Sequence, residues 1–302
     1  MHLNELKQQV AEGKFHAIAK AISLVENEGA GYDRFLQNIT PNPVTPVIGV
    51  TGPPGAGKSS LVNALVGAML NQKASIAIIA IDPTSPFNYG ALLGDRIRLN
   101  EYFNNPAIYI RSVATRGSLG GLSDKIIEII DVVRSAPFEY IFVETVGVGQ
   151  SEVEIAGLAD TTVVVMVPEA GDEIQTMKSG IMEIADIFVV NKADRQNADT
   201  FARNLSKMLH EKPAVNWNVP VIKTIANKNE GVEELLRQIL LHNQHKQHNA
   251  KRTFLLAQKA LQLIQKCRLK DINHRRLALI IDKQLQENEQ FNLYNFVKSF
   301  CS

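Results

Sequence analysis

The sequence is poor in the features that would point to secretion, a metal cage or a membrane. It has only two cysteines, Cys267 and Cys301, far apart in the chain. They cannot form a metal-binding Cys-x-x-Cys pair, and thiols this sparse are expected to be reduced in a cytoplasmic protein. No uninterrupted apolar run is long enough to cross a bilayer. The opening residues, MHLNELKQQVAEGKFH, lack an apolar signal core, and the first arginine is Arg34, so they do not read as a transit peptide either. The formal net charge is +1 over 302 residues, which offers no global pull toward nucleic acid or a membrane surface. No internal repeat or low-complexity tract is present. What remains is 45% hydrophobic and 21% charged, the balance of a globular protein with a sizeable core.

The chain divides by periodicity. Residues 3–28 read as one helix, with Phe15, Ile18, Ile22 and Val25 on a single stripe. Thr40-Pro41-Asn42-Pro43-Val44-Thr45-Pro46 cannot continue a helix and marks a boundary. Strands are then expected at 47–50, 75–81, 107–111, 140–144, 161–167, 187–190 and 219–224, alternating with helices. Several are apolar on both faces, as strands of a parallel sheet covered by helices must be. The expected fold is therefore α/β, a doubly wound, mostly parallel sheet. Beyond about 231 the strands stop. Residues 231–241 read as the last helix of the α/β unit, and the polar tract His242–Asn249 as a linker or exposed helix. Further helices carry apolar stripes through Phe254, Leu261 and Ile264, then Leu277, Ile280 and Ile281, then Phe291 and Phe300. This gives an N-terminal helical extension (1–40), an α/β domain (41–242) and a C-terminal helical arm (243–302).

Gly52-Pro53-Pro54-Gly55-Ala56-Gly57-Lys58-Ser59 fits a phosphate-binding loop between an apolar strand and an amphipathic helix. Glycines let backbone N–H groups turn toward phosphate, and the helix N-terminus adds partial positive charge. Lys58 can place its ammonium between β- and γ-phosphates, and the Ser59 hydroxyl can ligate magnesium. Asn191-Lys192-Ala193-Asp194 follows another apolar strand. Asp194 can accept two hydrogen bonds from guanine N1–H and its 2-amino group, whereas adenine offers no such pair. Lys192 can cover the base with its stem and Asn191 can brace the loop. Thr224-Ile225-Ala226, after the last strand, can present the N–H groups of Ile225 and Ala226 to guanine O6. Three carboxylates lie where magnesium would be held, Asp82 and Glu144 at strand ends and Asp95 in the segment between. Gly147, three residues after Glu144, is placed to offer its N–H to the γ-phosphate.

Taken together, these residues resemble the methylmalonyl-CoA mutase-associated GTPases (the MeaB or ArgK family), in the SIMIBI class of P-loop GTPases. The resemblance covers about residues 13–240 and rests on GVTGPPGAGKSSLVNAL, IDPTSPFNYGALLGDRIRL, RSVATRGSLGGLS, VETVGVGQSEVEIA and PEAGDEIQTMKSGIMEIADIFVVNKAD. It implies Mg2+ contacts from Ser59, Asp82, Asp95 and Glu144, some of them through water. It implies phosphate contacts from Gly55 to Ser60, guanine contacts from Asn191, Lys192 and Asp194, and a hydrolytic water positioned by Asp82. It further implies a partner-sensing loop with Asp172, Gln175 and Lys178, a homodimer built by the C-terminal helices, and an adenosylcobalamin-dependent acyl-CoA mutase as partner. Asn88, Tyr89 and Ile225 depart from the family pattern, as does the short tail beyond His242. Three other readings compete. The spacing of His242, His245 and His248 would suit a metallochaperone GTPase, although no cysteine pair accompanies them. A kinase or ATPase of amino-acid transport is opposed by the guanine motif. An ATPase with a second lysine early in its phosphate loop is opposed by Pro53 and Pro54.

Overall fold

The computed structural model describes residues 2–82, 100–115, 122–146, 151–170, 181–210, 217–245, 250–269, 272, 274–287 and 291–301. The N-terminal layer holds three helices, α1 (Leu3–Ala11), α2 (Phe15–Glu26) and α3 (Tyr32–Asn38). The single helix expected over 3–28 is broken at Gly13, whose φ of 75° lies in the left-handed region that ends helices. A side chain there would also press on Pro137, because a Cβ would lie 2.9 Å from its Cγ. Helix α2 buries Ala17, Ile18, Ala21, Ile22 and Val25. Its Phe15 packs edge-on against Tyr109, with ring centroids 5.4 Å apart. Arg111 donates to Glu26 at 2.8 Å, tying the layer to the edge of the sheet.

The sheet has seven strands: β1 (Val47–Thr51), β2 (Ile76–Asp82), β3 (Ile108–Ala114), β4 (Tyr140–Glu144), β5 (Thr161–Met166), β6 (Ile187–Val190) and β7 (Val221–Lys223). Their order is β3-β2-β4-β1-β5-β6-β7, and every pairing is parallel. Strands β1, β2, β5 and β6 are buried along their whole length, which is why they read as unbroken apolar runs. The helices between them are α4 (Lys58–Leu70), α5 (Ile126–Arg134), α6 (Ser151–Leu158), α7 (Ile181–Ile184), α8 (Ala198–His210) and α9 (Val232–Gln244). One core layer joins Leu61, Leu65 and Met69 of α4 and Leu235 and Ile239 of α9 to Ile48, Phe142 and Val163. The opposite layer sets Phe201 and Leu205 of α8 on Val164, Phe188 and Val190. Parallel strands put all their C-terminal ends on one edge. The chain leaves β4 on one side of β1 and enters β5 on the other, so a crevice opens above β1.

The tract expected to be solvated from His242 onward is partly packed: helix α9 runs on to Gln244, and His242 is half-buried at the N-terminal ends of β5 and β6. Its Nδ1 lies 2.8 Å from Thr161 Oγ1 and its Nε2 3.5 Å from Asp186 Oδ1. Its ring meets Trp217 at 4.8 Å between centroids. The chain separates into two compact units, 1–252 and 253–302. The second unit comprises most of α10 (Ala250–Arg268), with α11 (His274–Glu287) and α12 (Leu293–Cys301). Phe296 is buried there between Phe291 and Phe300, while Phe254, Leu261 and Ile264 of α10 are at least half exposed. Among the described residues, no helix is long and apolar enough to cross a membrane.

Candidate functional site

The phosphate loop leaves β1 at Thr51 and enters α4 at Lys58. Two of its glycines are required by close approach. A Cβ on Gly52 would lie 2.0 Å from the Val165 carbonyl oxygen, and one on Gly57 would lie 2.4 Å from Asn191 Nδ2. Both also have positive φ, 138° and 88°. The Lys58 ammonium curls back over the loop and donates to the carbonyls of Gly52 (2.9 Å) and Pro53 (3.2 Å). Helix α4 therefore presents its N-terminus and one cation to the same crevice. Lys58, Ser59, Asp82 and Glu144 are all buried.

Sheet order sets the acidic groups at the same edge of the sheet as this loop. Glu144 ends β4, which lies between β2 and β1, in register with Val50 and Ala80. The Ser59 hydroxyl donates to Glu144 Oε1 at 2.6 Å, across 85 residues of chain. Asp82 ends β2, two residues beyond Ala80, and its backbone carbonyl accepts from the Thr115 N–H at 3.1 Å. The Ser59 hydroxyl and the Glu144 carboxylate thus meet at the crevice, with Asp82 at the end of the neighbouring strand, an oxygen-only set of the kind magnesium prefers. Two threonines to which the sequence motifs assigned no role also join here. Thr145 donates its hydroxyl to Thr51 Oγ1 at 2.8 Å.

The second motif lies two strands away, after β6. Asn191 is buried. Its Nδ2 donates to the Ala56 carbonyl at 2.9 Å, and its Oδ1 accepts from Thr224 Oγ1 at 3.1 Å and from the Ala226 N–H at 3.2 Å. One amide therefore staples the phosphate loop, the β6 loop and the β7 loop together. Lys192 adopts φ 56° and extends its ammonium to the Gly55 carbonyl at 2.7 Å, laying its stem over the loop. Asp194 is exposed at the crevice rim. The Ile225 N–H donates to the Glu230 carbonyl at 3.0 Å, and the Ala226 N–H to Asn191. Both N–H groups assigned from the sequence to guanine O6 are thus engaged inside the loop. Ser60 turns away from the loop toward a flanking cavity of about 1020 Å³ between α4 and α9. Lys58, Asp82 and Glu144 are not part of its lining. Asp95, Gly147, Asp172, Gln175 and Lys178 lie outside the described residues. Of the three histidines considered for metal, His248 lies outside them too, and the ring of His242 is held by Thr161 and Asp186.

A parallel sheet whose central strand feeds a glycine loop onto a helix N-terminus, with Asn-Lys-x-Asp closing over that loop, defines a P-loop GTPase of the SIMIBI class. Such enzymes generally work on a magnesium-bound nucleotide. The chain belongs to the family described as methylmalonyl-CoA mutase-associated GTPase MeaB, which matches residues 18–279. A protein of Pyrococcus horikoshii named as a GTPase is 45% identical over 256 residues, covering 82% of this chain and 80% of that one. The GTPase ArgK of Escherichia coli is 34% identical over 248 residues, covering 79% and 75%. A fused isobutyryl-CoA mutase of Geobacillus kaustophilus is 37% identical over 211 residues, covering 66% of this chain but 19% of that one. A crystal structure of a LAO/AO transport system kinase shares the fold, with a TM-score of 0.68 at 23% identity over 98% of this chain and 95% of that one.

Proposed function

We propose that this GTPase is a nucleotide-driven chaperone of an adenosylcobalamin-dependent acyl-CoA mutase, gating cofactor loading and protecting or reactivating the mutase. The observation that carries this reading is the relative in which a segment like this chain is covalently part of a named isobutyryl-CoA mutase. Fusion raises effective concentration and persists where two activities serve each other. The family's own description, mutase-associated GTPase, points the same way.

In this reading Gly55, Ala56, Gly57, Ser59 and Ser60 turn N–H groups toward the phosphates, and Lys58 releases its carbonyl partners to bridge β- and γ-oxygens. Magnesium neutralises charge on those oxygens when bound. Ser59, Asp82 and Glu144 would hold it, with Asp95. Asp82 orients the attacking water, and Gly147 senses the γ-phosphate. Asp194 selects guanine, with Lys192 covering the base and Asn191 holding both loops in place. Asp172, Gln175 and Lys178 form the surface that meets the mutase, and the C-terminal helices join two copies. Intrinsic turnover of an unassisted GTPase is about 10⁻⁴–10⁻² s⁻¹, and the mutase is expected to raise it.

The test has two arms. Calorimetry with GDP and ADP should show at least about a 10²-fold guanine preference that Asp194→Asn reduces. Turnover measured with and without the organism's own acyl-CoA mutases, then with Gln175→Ala and Lys178→Ala, tests the partner. No stimulation and no complex in either nucleotide state would overturn the chaperone role and leave the GTPase reading standing.

A further inference from the structure

We propose that Thr51 and Thr145 form a positioning pair that fixes Glu144 against the phosphate loop, so that the magnesium-facing carboxylate stays aimed at the cation. The proposal rests on the GTPase reading above and deepens it. Thr51 is the last residue of β1, one before Gly52, and Thr145 directly follows Glu144 at the end of β4. Both threonines are buried. Thr145 is fastened twice to β1: its N–H donates to the Val50 carbonyl at 3.1 Å and its hydroxyl to Thr51 Oγ1 at 2.8 Å.

These bonds close a ring. From Glu144 the path runs through Thr145 to Thr51, along the phosphate loop to Ser59, and back to Glu144 through the 2.6 Å hydrogen bond. The ring ties both ends of the phosphate loop to two consecutive residues. Both hydroxyls are buried, so cutting the link leaves a polar group without its partner. If one link is cut, Glu144 keeps its strand but loses its fixed direction, and the site's hold on the divalent cation weakens before its hold on the phosphates does.

A purely structural hydrogen bond would predict something else, namely equal damage with and without the cation. The experiment measures affinity for a non-hydrolysable GTP analogue by calorimetry, across a Mg2+ titration and in EDTA. It compares the intact protein with Thr145→Val, Thr51→Val and the double variant, since valine keeps the volume and removes the hydroxyl. Each single variant should raise the Mg2+ concentration for half-maximal effect about 5-fold, the size of one lost hydrogen bond. Affinity in EDTA should stay within about 2-fold of the unsubstituted protein, and the double variant should be no worse than either single one. Thr145→Ser, which retains the hydroxyl, should behave normally. Equal losses with and without Mg2+, multiplied effects in the double variant, or two single variants that both fail to fold on melting would overturn the pair as a positioning device. An unsubstituted protein that bound no guanine nucleotide would overturn the GTPase reading, and this proposal with it.

Discussion

Replacing Asn191 by alanine should loosen three loops at once. The amide makes three hydrogen bonds, at 2.9, 3.1 and 3.2 Å, and is buried. Each is worth about 1 kcal/mol net, and a partner left buried and unpaired costs about 1–3 kcal/mol. The groups left behind are the Ala56 carbonyl, the Thr224 hydroxyl and the Ala226 N–H. The exposed Asp194 lies close by, so water can reach part of the gap, and a total of about 2–3 kcal/mol is expected. Expressed as stability, that is about 4–12 °C in Tm for a unit of this size. Expressed in binding, it is about 30- to 150-fold in Kd for GDP. Melting without nucleotide reads the first quantity and calorimetry with GDP the second, so the division between fold and site is itself measured. Asn191→Asp should be worse than alanine, because it sets a carboxylate oxygen against the Ala56 carbonyl where an N–H now donates. An alanine variant that melts within about 1 °C of the unsubstituted protein and binds GDP within about 2-fold would refute the stapling argument.

Three further perturbations follow. Gly57→Ala places a Cβ 2.4 Å from Asn191 Nδ2 in a left-handed backbone, so GDP affinity should fall by about 10²-fold or more, read by calorimetry. Asp131 is pushed up to about 6, first by burial and then by Glu128, against the pull of Arg134 and Arg252. Folded protein therefore holds its proton more tightly than unfolded chain; its stabilising contribution is complete below about pH 4 and is lost as the pH rises through 6. Asp131→Asn should flatten urea-measured stability between pH 4 and 6 and add about 1–3 kcal/mol at pH 7. The His242 imidazole is held below its ordinary value by burial, with His245 adding to the shift and Asp186 and Asp160 opposing it. Its contribution to stability is present above about pH 6.5 and is lost as the pH falls through the lowered value. Trp217, the one tryptophan, touches it. Intrinsic fluorescence should carry a transition below about pH 6.5 that disappears in His242→Gln, and a midpoint above that value would contradict the burial argument.

Strands β1, β2, β5 and β6 were legible because parallel strands buried along their whole length leave unbroken apolar runs. The bounds of β4 and β6 match the expected 140–144 and 187–190 residue for residue. The phosphate loop and the Asn-Lys-x-Asp turn were legible for a related reason: each is a local backbone conformation written in consecutive residues. The break at Gly13 was not read, because a glycine in a helical pattern is a stop only when something such as Pro137 occupies the space beside it. The burial of His242 was not read either, since Thr161, Asp186 and Trp217 are 81, 56 and 25 residues away in the chain. Tertiary structure alone decided that β4 enters between β2 and β1, which sets Glu144 on Ser59 and Thr145 on Thr51, and that Asn191 reaches Ala56 across 135 residues. Periodicity and turn chemistry act over a few residues and are carried by the sequence itself. Which distant donor meets which acceptor depends on the order in which the strands pair, and that is settled only when the whole sheet closes its core.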